Sequence, residues 1–184
     1  MIVLRGTDFR KDITNIYNLF MNDNLQCMFH AAMEISNIGE FEAWLRESIA
    51  RNFQKFRVIT TEEDEFVGFV YSYDYSPSDM HCKICAAVEE AYQETGMGAA
   101  ATLLFIDSLF RYYPLRKIYM TVYEYNKQSL ISNKDAGFTE EARLQDYRYY
   151  DGEYWDLFYL SITRKDFYSD HADILKTMYE RNKP

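Results

Sequence analysis

The chain has 184 residues, 48% hydrophobic and 17% aromatic, enough to bury a sizeable core in one domain and too apolar for a disordered chain. Twenty Lys and Arg face 29 Asp and Glu, a net charge of −9, and no basic cluster breaks that balance, so nucleic acid is not an expected partner and a cationic amine is a better match for the long-range field. No apolar run approaches the roughly 20 residues that cross a bilayer, and the opening MIVLRGTDFRKD lacks the long apolar segment and cleavage site of a signal peptide; a cytoplasmic protein with no membrane partner is expected.

In chain order, Ile2 to Leu4 predicts a first strand, and Asp8 or Asp12 caps a helix in which Ile13, Ile16, Tyr17 and Phe20 recur at helical spacing. A Met-rich polar loop follows, then a second helix marked by Phe41, Trp44, Leu45, Ser48 and Ile49. Phe56–Thr61 and Phe66–Tyr75 are predicted strands joined through the acidic turn 62–65, and Met80–Val88 is a third after the turn Ser76-Pro77-Ser78-Asp79. Cys82-x-x-Cys85 falls inside that strand, where residues three apart face opposite ways and no second ligand pair follows. Buried strand cysteines are therefore expected, with no metal site and no redox pair.

After the glycine segment, Ala99 to Tyr112 predicts a helix packing Leu103, Leu104, Ile106, Leu109 and Phe110 on one face. Lys117–Tyr123 is a strand, Asn126–Asp135 a short helix stopped at Gly137, and Thr139–Tyr150 with Glu153–Thr163 a hairpin turning at Asp151-Gly152. A charged helix closes the chain from about Asp166. The order gives a mixed α/β fold in one domain over residues 1–168, with a helical tail over 169–184.

The segment QETGMGAA, Gln93 to Ala100, carries the candidate chemistry. Thr95 or Gln93 caps a helix, Gly96 and Gly98 remove Cβ atoms, and successive amides at a helix N-terminus favour an anion by about 0.3–1 kcal/mol when exposed. Gly96-x-Gly98-x-x-Ala101 also satisfies a dinucleotide pattern, with Glu124 as the acidic residue of the next strand. Against that reading, seven residues, Glu89 to Thr95, separate the strand from the first glycine, and a hairpin stands where further βαβ units belong.

Gln93-x-x-Gly96-x-Gly98, after a strand and opening a helix, resembles the acyl-CoA signature Q/R-x-x-G-x-G/A of the GNAT N-acetyltransferases. Asn126-x-x-Ser129, with Gly137-Phe138 beyond it, is similar to that family's second cofactor segment. The hairpin EARLQDYRYYDGEYWDLFYLSI and the opening VLRGTDFRKD resemble the branch containing ribosomal-protein alanine and spermidine N-acetyltransferases. The resemblance covers roughly residues 2 to 167 and implies a central twisted mixed sheet, flanked by helices, in which two parallel strands splay apart. It further implies acetyl-CoA as cosubstrate: pantetheine along Ala87 and Val88, pyrophosphate on the amides from Gln93 through Thr95, Gly96, Met97 and Gly98 to Ala99, and contacts from Asn126 and Ser129.

The implied reaction is direct attack of a primary amine on the thioester carbonyl, the acceptor being a small amine or a protein N-terminal α-amine, by a monomer or homodimer. Four positions depart from the family's pattern. Glu94 and Thr95 stand where glycine and a cation are frequent, Asn133 where many relatives carry an acid tyrosine, and Lys83 where many carry a glutamate. Substitute groups are sought in Tyr73 and Tyr123, each next to a tyrosine on its own strand face, and in Glu34, in the loop where the family's acceptor lies. His30 and His81 are not distinguished by context. A pseudoenzyme that binds acyl-CoA without turnover and a dinucleotide-binding oxidoreductase stand as alternatives.

Overall fold

The computed structural model describes residues 2–29, 35–53 and 55–181, which divide into two units. Its seven strands follow the order β1-β2-β3-β4-β5-β7-β6. The first unit, Met1–Tyr75 with Lys83–Thr102, carries β1 (Ile2–Arg5), α1 (Phe9–Phe20), α2 (Asp23–Gln26), α3 (Ile38–Arg51), β2 (Lys55–Thr61), β3 (Phe66–Ser76), most of β4 (His81–Val88) and the first turn of α4 (Met97–Tyr112). β1 pairs antiparallel with β2, and β2 with β3.

Asp8 is the α1 cap, accepting from Arg10 N–H, and Asp12 has another task. Buried at 1% exposure, Asp12 takes both terminal nitrogens of Arg5 at 2.7 Å and the amide of Asp8, tying β1 to the start of α1. The one-turn α2, capped by Asn22, lies where a loop was expected, because a single turn is too short to show helical periodicity. α1 and α3 lay Ile13, Ile16, Phe20, Phe41 and Leu45 on Phe56, Val58 and Phe69. Phe20 stacks on Phe69 at 4.4 Å and 8°, one contact in a run of rings that reaches Tyr71 and Tyr73.

The second unit, Ser76–Cys82 with Leu103–Pro184, carries the rest of α4, β5 (Lys117–Tyr123), α5 (Lys127–Asp135), β6 (Thr139–Tyr150), β7 (Glu153–Thr163) and α6 (Arg164–Arg181). β5 and β6 both pair antiparallel with β7. α4 is not amphipathic as expected: Leu103 is half-buried, while Phe105, Ile106 and even Asp107 are fully buried. Asp107 accepts from the Tyr168 and Tyr179 hydroxyls of α6 and pairs with Arg111, so a buried carboxylate anchors the last helix.

Asp151 and Gly152 both have positive φ, 52° and 85°, the geometry a two-residue hairpin demands. Between Leu144 and Arg148 the β6 register slips, and Asp146 sits at φ 51°. Asp156 of β7 holds this bulge, accepting from the Asp146 amide at 2.8 Å and from Arg143. Those two donors, the amide first, hold the Asp156 carboxyl below its usual range. A depressed folded value gives stability that is present above the unfolded value near 3.9 and is lost as pH falls through the folded one. Asp156→Asn should therefore lower the melting temperature at pH 7, and the gap to the wild type should close as the pH is taken below about 3.9; a gap unchanged across a pH series of thermal melts would contradict this.

Candidate functional site

Between β4 and α4 the chain makes one 3-10 turn, Glu90–Tyr92, and then passes through two left-handed residues, Glu94 at φ 61° and Gly96 at φ 81°. Thr95 ties this loop together, its hydroxyl donating to Tyr92 C=O at 2.6 Å and accepting from Met97 N–H at 3.3 Å. The expected cap is thus Thr95. Ala100 N–H bonds Gly96 C=O at 3.0 Å, which leaves the amides of Gly98 and Ala99 ahead of the helical ladder. Within the run from Gln93 to Ala99, the Gln93 amide donates to Glu90 C=O and the Met97 amide to the Thr95 hydroxyl.

The two glycines serve different constraints. Gly96 needs its left-handed backbone, and a Cβ there would meet nothing within 4 Å. At Gly98 a Cβ would stand 3.3 and 3.6 Å from the Val88 methyls, so this glycine lets α4 lie on the end of β4. Glu94 occupies a conformation that glycine adopts freely, at a cost of about 1 kcal/mol for a residue with a Cβ.

β4 brings the other candidates of this unit together. Ala87 is buried in the α1/α3 cluster, and Glu89 N–H donates to Val67 C=O of β3 at 2.9 Å. Burial pushes the Glu89 carboxyl above its usual value. Two residues before Ala87, Cys85 hydrogen-bonds the buried Tyr71 hydroxyl; desolvation pushes the thiol up to about 11 and the phenol well above its usual range. Of the two strand cysteines expected to be buried, only Cys82 is; Cys85 is half-buried. Desolvation pushes the Cys82 thiol up to about 12. Neither thiol is a nucleophile at neutral pH. Lys83 pairs with Asp74 at 3.0 Å and lies 6.0 Å from the Tyr73 ring. Asp74 sits at φ 50°, out of regular strand geometry, so alternation along β3 does not describe where its carboxylate goes.

In the second unit, Asn126 is the α5 cap, its Oδ1 accepting from Ser129 N–H at 3.1 Å. The Asn126-x-x-Ser129 spacing is thus first a capping arrangement. Asn133 is buried and donates to the Ser129 hydroxyl at 3.0 Å. An amide carries no acidic proton, so position 133 supplies no general acid. Tyr123 is 3% exposed, stacked on Tyr125 at 5.3 Å, and has the Arg148 guanidinium 4.7 Å from its ring centroid. Glu34 and His30 lie outside the described residues. The Asp74–Lys83 and Tyr71–Cys85 pairs were not legible, since β-strand alternation gives no sign of which side chains meet across neighbouring strands. Glu89 carried no signal beyond its place next to Val88.

No protein-family model matches the chain. The SPbeta prophage-derived uncharacterized N-acetyltransferase YokL of Bacillus subtilis is 26% identical over 144 residues, 78% of each chain. Spermidine N-acetyltransferase from Vibrio cholerae, solved in complex with CoA and spermine, superposes with a TM-score of 0.82 at 21% identity, over 90% of this chain and 97% of that one. Mutant forms of the Vibrio cholerae spermidine/spermine N-acetyltransferase SpeG give 0.79 at 21% identity, over 92% and 97%. The chain has the fold of these structures, the GNAT fold. That fold overturns the dinucleotide-binding alternative: where a GNAT chain closes with an antiparallel hairpin on β5, the rival needed further βαβ units.

Within the GNAT frame the two glycines make separable predictions. Gly98→Ala gains about 1 kcal/mol of helix propensity and meets an overpacking cost of about 1–3 kcal/mol against Val88, so the variant should fold. Gly98→Asp adds a negative charge beside the Gly98 and Ala99 amides and should weaken acetyl-CoA binding at least tenfold more than Gly98→Ala does. Equal calorimetric affinities for the two variants would contradict the loop assignment.

Proposed function

We propose that the chain is an acetyl-CoA-dependent N-acetyltransferase acting on a primary amine. The single observation that carries this reading is the loop after β4, where a left-handed glycine turns exposed backbone into a helix N-terminus whose Gly98 and Ala99 amides precede the helical ladder. In this reading the pyrophosphate of coenzyme A sits on those amides, with Gln93, Thr95, Gly96 and Met97 shaping the loop around it. Pantetheine runs along Ala87 and Val88. The fold shared with an enzyme crystallised with CoA and spermine, and the N-acetyltransferase relative, support the same assignment.

The amine nitrogen attacks the thioester carbonyl, the C–S bond breaks, and coenzyme A leaves as a thiolate that takes up the proton the amine sheds. A backbone N–H near Val88 stabilises the oxyanion. A thiol of pKa about 8.5 is a tolerable leaving group, so turnover does not require the tyrosine replaced by Asn133. Deprotonation is the harder step. For an alkylamine of pKa about 10.4 it costs roughly 4.6 kcal/mol at pH 7, and for an α-amine near 8 about 1.4 kcal/mol. Lys83, where many relatives carry a glutamate, is paired with Asp74 and supplies no carboxylate base on β4. The acceptor class favoured is therefore a small amine or protein N-terminal α-amine that is partly neutral at working pH.

Acetyl-CoA should bind in calorimetric titration and NADH should not. Thiol release should rise above the hydrolysis background with some primary amine in a panel of N-terminal peptides and small amines. With no carboxylate base on β4, log kcat/KM should climb with a slope near one up to the amine's own pKa. Binding without amine-dependent release across the panel would establish the pseudoenzyme instead. A plateau well below the amine's pKa would mean that a group of the chain acts as base.

A further inference from the structure

Gly68 of β3 lies beside the end of the neighbouring strand β4. A Cβ built there would stand 2.1 Å from the Ala87 carbonyl oxygen, 2.8 Å from Val88 Cα and 3.0 Å from the Ala87 carbonyl carbon. All three neighbours are backbone atoms, so no side chain can rotate away. Gly68 is not among the residues at positive φ, and the glycine is therefore demanded by space, not by torsion. The β2–β3 register breaks at the same place: Ile59 faces Gly68 and Thr60 faces Phe66, which leaves Val67 as the extra residue of a bulge. Val67 C=O then takes the Glu89 amide at 2.9 Å. On its other side, Val88 presses its methyls to within 3.3 Å of a Cβ position at Gly98. The Ala87–Val88 segment is thus held between two positions that both lack a side chain.

We infer that Gly68 is a positioning residue for the acyl-transfer site, an inference that rests on the cofactor reading of β4 above. The Ala87–Val88 peptide is trans, so its carbonyl and N–H point in opposite directions. With the carbonyl oxygen drawn against Gly68, the Val88 N–H is aimed away from it. That N–H is the oxyanion donor of the proposed reaction, where charge develops only in the transition state, so a small change in its place acts on kcat, while the cofactor keeps its contacts to the rest of the loop. The Gly98 and Ala99 amides lie on a different segment, which meets Val88 only through that residue's methyl groups.

Gly68→Ala tests this, together with Gly68→Ala/Val88→Ala, which relieves the pinch against Gly98 and keeps a folded variant within reach. The expected result is a dissociation constant for CoA within about threefold of the wild type and a kcat at least tenfold lower. The double variant should recover melting temperature without recovering kcat. A folded Gly68→Ala protein with wild-type kcat, or a rate loss matched by an equal loss of CoA affinity, overturns the inference. The amide resonance of Val88 supplies a readout independent of turnover: it should move in Gly68→Ala, and an unmoved resonance overturns the inference even if the wild type transfers no acetyl group. A wild type that neither binds acetyl-CoA nor releases thiol would instead overturn the acetyltransferase reading.

Discussion

The end of β4 is the constraint on which the cofactor side of the site depends. There the backbone of Ala87 and Val88 passes so close to Gly68 that no side chain fits, and Val88 in turn sets how near the first turn of α4 approaches. The loop that joins them must turn in a few residues, which it does by placing Glu94 and Gly96 in left-handed conformations and bracing them with Thr95. The amides ahead of the α4 ladder follow from that turn, the first helical bond running from Ala100 N–H to Gly96 C=O. A looser contact between β4 and α4 would not need a glycine at position 98.

The same economy explains the departures at the expected acid and base positions. Asn133 is part of the α5 cap through Ser129, and Lys83 is neutralised by Asp74, so each has a local partner that accounts for its presence. In the proposed reaction, chemistry is then left to backbone donors, to the leaving-group quality of a thiol, and to an acceptor amine that is partly neutral at the start. Electrostatic preorganisation of that kind is often the largest contribution to acyl transfer.

Much of this was legible in the sequence where one residue type answers one backbone demand. Asp151-Gly152 gave the hairpin turn, Gly96 the left-handed loop, and Asn126 the start of α5. β5, β6 and β7 begin and end where alternation and turn residues place them. What was hidden depends on residues far apart in the chain. Gly68 sits in an ordinary apolar strand, and only the approach of Ala87, 19 positions later, makes it necessary. Asp12 looked like a cap until Arg5 claimed it, and Asp107 is buried inside an apolar helix because two tyrosines of α6 reach back to it. Periodicity cannot show a buried carboxylate whose partners lie 61 and 72 residues away.

The central claim is that the amides opening α4 hold the pyrophosphate of acetyl-CoA. The most direct measurement is an acetyl-CoA titration of the isotopically labelled protein followed by the backbone amide resonances. The account predicts that Gly98 and Ala99 shift most and saturate together, with Val88 following, and that NADH leaves all three in place. Saturable binding that moved other amides and left Gly98 and Ala99 unchanged would contradict it.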